Sequence, residues 1–182
     1  MTLKQYFVEA GDEKTSRILL MIPFNIRTDL PREDDLTLCN QMAGFPYPLP
    51  LCTDFLTALK CISRDIKEVK SKFLPLGTYY LTGILTLLTP ILALPLIKYF
   101  AGKPTLTMTN VFGPPTTVSL SGSKSKHVYA LLPSMAEISG GFALVSHGDI
   151  AKVSFIADTA RCTDPYRIIE IFEANMDAIL KA

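Results

Sequence analysis

Few residue types in this sequence can do chemistry unaided, and most of them have a plainer reading. The only imidazoles are His127 and His147. His147 sits in Ser146-His147-Gly148-Asp149, where a carboxylate two positions on could orient the ring as a general base. A plain hairpin tip explains the same four residues, because Gly148 turns the chain. His127 follows Ser123-Lys124-Ser125-Lys126 and reads as a solvated residue at the start of a strand. Cys39, Cys52, Cys61 and Cys162 show no metal-ligand spacing and no CxxC, so they read as reduced thiols. No nucleophile elbow or phosphate loop is present. Asn25 and Arg27 follow an apolar run; the guanidinium could clamp an anion or pair with the acidic loop Glu33–Asp35. Asp158 with Arg161 reads as a strand-end ion pair of little weight. The segment Asn110-Val111-Phe112-Gly113-Pro114-Pro115 carries most information. An amide at a strand end, held by a rigid Gly-Pro turn, can orient a reacting group; it can equally do no more than stop the strand, with Asn110 capping its own turn.

These residues need elements to hold them. Residues 2–10 read as a short helix that Gly11 could end. Ile18 to Asn25 is an apolar run of strand length, consistent with burial on both faces. Arg27 to Leu38 reads as a loop. Pro46, Pro48 and Pro50 restrict residues 41–51 to an edge strand or a polyproline-like segment. Asp54 or Thr53 caps a helix whose stripe is Phe55, Leu59, Ile62, Ile66, Val69 and Phe73, with Asp65 among the residues facing water. Leu74 to Ile97 has no charged residue. It fits two helices packed in a core and broken at Pro90, an in-plane interfacial element, or a span. Strands follow at Leu106–Thr109, around Val118–Leu120, at Val128–Leu132, Phe142–Val145 and Val153–Ala157. Asp164-Pro165 opens a last helix with Ile168, Ile169, Phe172, Met176, Ile179 and Leu180 as its core face. The expected fold class is α/β (α+β), a mixed sheet flanked by helices.

Composition narrows the classes. The chain has 182 residues, 48% hydrophobic and 19% charged, with net charge +1, so whole-chain disorder is excluded, no nucleic-acid partner is expected, and the overall charge does not draw nucleic acid or anionic lipid. Mean hydropathy is +0.28, which points to membrane contact or to surface buried against something else. The N-terminus lacks the apolar core of a secretory signal, and the expected location is intracellular.

Several segments together resemble the C-terminal half of the wax ester synthase/diacylglycerol acyltransferase family. Thr109-Asn110-Val111-Phe112-Gly113-Pro114 is similar to that family's SNVPGP. Ile22-Pro23-Phe24-Asn25-Ile26-Arg27 resembles its vPvslR strand, and Asn40 with Leu49-Pro50 its GN…lP segment. Ser119-Leu120-Ser121-Gly122 through Leu132-Pro133-Ser134 resembles its G…P hairpin. Gly141 to Gly148 resembles its strand ending in SYng, and Ala157-Asp158 with Thr163-Asp164-Pro165 its aD…pDp segment. Each match is partial; their common order over residues 16–182 makes the resemblance specific.

The resemblance implies one half of a chloramphenicol acetyltransferase-like two-half fold, with residues 1–15 a lead-in helix and 16–182 the half-domain, including an apolar helical segment at 74–100. It implies an acyl-CoA-dependent O-acyltransferase that esterifies a long-chain alcohol or diacylglycerol. This chain would form one wall of the tunnel between the halves. The catalytic HHxxxDG, whose second histidine is the general base, does not occur in this sequence. The resemblance therefore implies an N-terminal HHxxxDG half, in the same polypeptide or another chain, and a sequence that is a piece of a longer protein. No catalytic residue is expected here. A supporting role falls to Asn110, with Asn25, Arg27, Asn110, Val111, Gly113, Pro114 and Ser146 as substrate-binding residues. Phe112 replaces the family's usual proline. No metal and no bound cofactor are expected; acyl-CoA is the co-substrate, and the location is an internal membrane such as the endoplasmic reticulum. Two rival readings stand beside it: a catalytically dead half-domain serving as a structural or lipid-binding subunit, and a hydrolase using His147 and Asp149.

Overall fold

The structure is a computed structural model and describes residues 1–25, 42–71, 74–133 and 138–181. Along the chain run α1 (Thr2–Glu9), β1 (Arg17–Asn25), β2 (Met42–Pro50), α2 (Phe55–Ser71), α3 (Leu74–Thr86), α4 (Pro90–Ala101), β3 (Leu106–Phe112), β4 (Ser119–Leu120), β5 (Ser123–Lys124), β6 (Gly140–His147), β7 (Ile150–Ala157) and α5 (Pro165–Lys181).

Five strands form one mixed sheet in the order β2-β1-β3-β6-β7. The inner pairs β1–β3 and β3–β6 are parallel, and the outer pairs β1–β2 and β6–β7 are antiparallel. This is the mixed, helix-flanked sheet that the sequence leads one to expect. The prolines of β2 explain its place at the edge. The Leu51 amide donates to the Ser16 carbonyl at 2.9 Å, so odd-numbered groups of this segment face β1 and the even-numbered ones face outward. Pro46, Pro48 and Pro50 thus lack their N–H groups only on the open side.

One sheet face carries a buried aliphatic cluster, and Ala143 and Val145 are buried on the other. Ile18, Leu20, Leu51 and Leu106 are buried together, with Leu3 and Phe7 of α1 and Phe142 and Phe155 packed against them. α1 is held beside α5 by Arg167, which donates to both Glu9 carboxylate oxygens at 2.8 and 3.1 Å. α2 is anchored by the buried Tyr47, whose hydroxyl donates to Asp65 at 3.0 Å. Burial, then the Asp65 carboxylate, push the Tyr47 phenol far up, and the bond from Tyr47 leads in holding Asp65 below the usual carboxylate range. Asp54 caps α2 through the Thr57 amide at 2.7 Å, and Asp164 caps α5 through the Arg167 amide at 3.0 Å.

Several expectations change. β1 is not buried on both faces: Ile18 and Leu20 are buried, while Leu19 and Met21 are only half so. Asp65 is partly exposed, as expected, and also accepts from Tyr47. The stripe of α2 is buried at Val69 and open at Phe55 and Leu59; Phe73 lies outside the described residues. The core face of α5 is Ile168 with Ile171, the latter only 2% exposed, whereas Met176 and Leu180 lie open. Residues 128–132 form no strand. They lie as irregular chain over the second face, where the Ser154 hydroxyl donates to the Ala130 carbonyl. Lacking a partner strand, this stretch meets the sheet through side chains; Leu132 Cδ1 stands 2.8 Å from where a Gly141 Cβ would be. Residues 74–97 do split at Pro90, the first residue of α4. They are not packed in the core, since Ala93 alone is buried among their described side chains. No helix among the described residues is long and apolar enough to cross a membrane.

Candidate functional site

The parallel strands β1, β3 and β6 all point their carboxyl ends the same way, which in open mixed sheets is where ligands gather. Asn25 ends β1, Asn110 lies two residues before the end of β3, and Ser146 and His147 end β6. Register places Asn110 opposite Leu144, Val111 opposite Val145 and Phe112 opposite Ser146. Paired residues share a face and alternate residues do not. Asn110 and Ser146 therefore lie on the face of Phe142, and Val111 lies on the face of His147. By the same alternation from Leu20, Asn25 belongs with Val111. The expected site residues share one end of the sheet and divide between its two faces. Arg27 and Asn40 lie outside the described residues.

The turn after β3 is fastened to β6. An ideal Cβ on Gly113 would stand 2.1 Å from the Ser146 carbonyl oxygen, far inside van der Waals contact, so only glycine fits this approach. The Gly148 amide then donates to the Pro114 carbonyl at 3.2 Å, with Gly148 at φ 56°. Sequence reasoning found the rigid turn; the reason for its glycine is a backbone on another strand, which spacing along the chain does not reveal. The lip is apolar and open: Phe112 is 86% exposed, and Val111 is exposed too. Asn110 is exposed. The arrangement offers neutral amide and hydroxyl groups at an apolar wall, suited to holding an uncharged ester or alcohol.

The expected hairpin between β6 and β7 turns at Gly148-Asp149, but His147 beside it is buried. It is the last residue of β6, 9% exposed, and its Nδ1 has no hydrogen-bond partner. Asp149 therefore does not orient the ring through that nitrogen, and the geometry offers no base–orienter pair for a hydrolase. His127 is exposed, its ring centroid 6.3 Å from that of Tyr129. No group of three metal-ligating side chains occurs among the described residues. Cys52, Cys61 and Cys162 are free thiols. A shallow recess lined by Thr107, Gly141, Ile156 and Asp158 sits at the opposite end of the same strands.

Comparison with known proteins gives a family and a similar solved structure. The WS/DGAT C-terminal domain family matches residues 38–180. A wax ester synthase/diacylglycerol acyltransferase from Marinobacter aquaeolei VT8 is similar in structure, with TM-score 0.64 and 16% identity over 95% of this chain and 39% of that one. The chain thus spans about two fifths of that solved enzyme's length. No curated protein sequence is similar enough to match.

Proposed function

Because this chain belongs to the WS/DGAT C-terminal domain family, we propose that it is the C-terminal part of an acyl-CoA-dependent O-acyltransferase and forms one wall of that enzyme's substrate tunnel. The family match over residues 38–180 is the observation that carries this reading. In it, an N-terminal half supplies HHxxxDG. Its second histidine takes the proton of a long-chain alcohol or diacylglycerol hydroxyl as the oxygen attacks the acyl-CoA thioester. The ester forms, the carbon–sulfur bond breaks and the coenzyme A thiol leaves with a proton. Asn110 stands at the wall as a hydrogen-bonding amide, Gly113 and Pro114 hold its strand against Ser146, and Asn25 and Val111 line the same end. Product and acceptor are lipids, so the enzyme works at an internal membrane.

The test is ester formation from acyl-CoA and a long-chain alcohol, by the intact polypeptide that carries this sequence. Asn110→Ala lowers turnover at least about tenfold and leaves stability within about 0.5 kcal/mol, because the side chain is on the surface. Wild-type turnover by the variant would remove Asn110 from the reaction. The rival reading is a half-domain kept as a structural or lipid-binding subunit. A native polypeptide no longer than this one, found in an inactive complex, would establish it.

A further inference from the structure

One face of β7 carries a basic and aromatic patch beside the acyl wall. Lys152 pairs with Val145 and shares its face. Its Nζ stands 5.8 Å from the centroid of the Tyr129 ring. The chain beside Tyr129 is fastened there, because the Ser154 hydroxyl, two residues along β7, donates to the Ala130 carbonyl. The His127 ring centroid lies 6.3 Å from that of Tyr129. Lys124 ends β5 opposite Ser119, and the Ser125 amide donates to the Val118 carbonyl at 2.8 Å, which ties the next residue to the same small hairpin. At about 3.4 Å per residue, Lys124 is at most about 17 Å from Tyr129.

The chemistry of the patch narrows its ligand. Tyr129 is 59% exposed, so Lys152 steadies the ring by a cation–π contact without covering it. Lys124, Lys126 and His127 are exposed as well. Among the described residues no ion pair involves Lys124, Lys126 or Lys152. Between Glu68 and Glu137 the sequence has no acidic residue, and Asp149 lies exposed in the turn before β7. Ammonium groups around an open ring suit a ligand that carries both phosphates and a flat base. The lysines meet phosphate oxygens as point charges, and the ring offers a base a stacking surface. An aliphatic chain or a neutral ester gains nothing from them. Register ties the patch to the acyl wall: Val111, Val145 and Lys152 form one row across β3, β6 and β7, two strand spacings or about 10 Å wide.

We propose that Lys124, Lys126, His127, Tyr129 and Lys152 hold the nucleotide end of acyl-CoA, with its adenine on the Tyr129 ring and its phosphates on the lysines. The pantetheine arm then runs over the strand ends and brings the thioester to the wall at Asn110. This rests on the acyltransferase reading above and adds the residues that recognise the acyl carrier. The two are separable, because nucleotide binding needs no turnover.

Calorimetry of the intact polypeptide with adenosine 3′,5′-bisphosphate tests it. The wild type binds this nucleotide, and inorganic phosphate binds at least about 100-fold more weakly. Lys124→Ala with Lys126→Ala weakens nucleotide binding at least about tenfold, an effect that shrinks as salt is raised. Tyr129→Ala weakens it about tenfold, and Tyr129→Phe binds like the wild type because the stacking surface is kept. These changes touch exposed side chains, so each variant keeps the wild-type melt. In ester formation the lysine variant raises KM for acyl-CoA and leaves kcat unchanged, while an acyl-pantetheine, which has no nucleotide, reacts as with the wild type. A wild type that does not bind the nucleotide, inorganic phosphate that binds as tightly, or lysine and Tyr129→Ala variants that bind like the wild type overturn the inference. Nucleotide binding with no ester formation leaves the nucleotide site standing and defeats the acyltransferase reading alone.

Discussion

Gly113 and Ser146 are in backbone contact: a methyl group on Gly113 would stand 2.1 Å from the Ser146 carbonyl oxygen. This contact joins the turn after β3 to the end of β6 and so sets where Asn110 stands. Gly113→Ala must push the strands apart or bend the turn. We predict a loss of about 3 kcal/mol, read as an earlier urea midpoint, together with reduced ester formation. A variant of wild-type stability would show that the turn yields freely.

We predict that acid weakens the docking of α1 against α5. Glu9 is held below the usual carboxylate range, first by its bond from Arg167 and then by Gln5; Asp12 is lowered chiefly by Thr15. A carboxyl whose pKa is depressed in the folded state adds stability that is complete above its unfolded value, near 4, and lost as pH falls through the folded one. Melting temperature therefore holds down to about pH 5 and drops below about pH 4. Glu9→Gln lowers the melting temperature at neutral pH and flattens the acid limb. An unchanged acid limb in that variant would remove Glu9 from the effect.

His147 contributes bulk rather than proton transfer. With Nδ1 buried and unpartnered, the ring already carries an unmet polar group, which is unfavourable by about 1 kcal/mol or more. His147→Leu keeps or raises stability in a thermal melt and retains any esterase activity of the chain. Loss of such activity would restore the hydrolase reading.

Ile171 and Met176 test the core face of α5. Ile171→Ala costs about 3 kcal/mol or more, as expected for a fully enclosed aliphatic side chain; Met176→Ala costs under about 1 kcal/mol. Equal losses in denaturant unfolding would mean that α5 is rotated from the orientation described.

These contrasts mark what a single sequence can convey. Proline spacing fixes β2 at an edge because missing donors are a local fact. Asp54 and Asp164 announce their helices because a cap acts within three residues. Ile171 was missed because α5 carries apolar residues on more than one side, and which side is buried depends on where α1 docks. Phe55 and Leu59 keep a clean helical period without being covered, since a period names a face and not its neighbour. Residues 128–132 read as a strand by composition, yet they cross a face of the sheet instead of pairing along its open edge at β7. The asparagine of the β3 turn was legible by type; the contact that positions it joins residues 33 apart and was not.

The prolines of β2 bear on stoichiometry. An incoming strand would find carbonyls but no amide donors along Pro46, Pro48 and Pro50, while β7 ends the sheet with no further strand among the described residues. A sheet with one donor-poor rim favours pairing at its other end. Two copies joined through β7 would present such rims on both sides, which disfavours growth of edge pairing into a fibre.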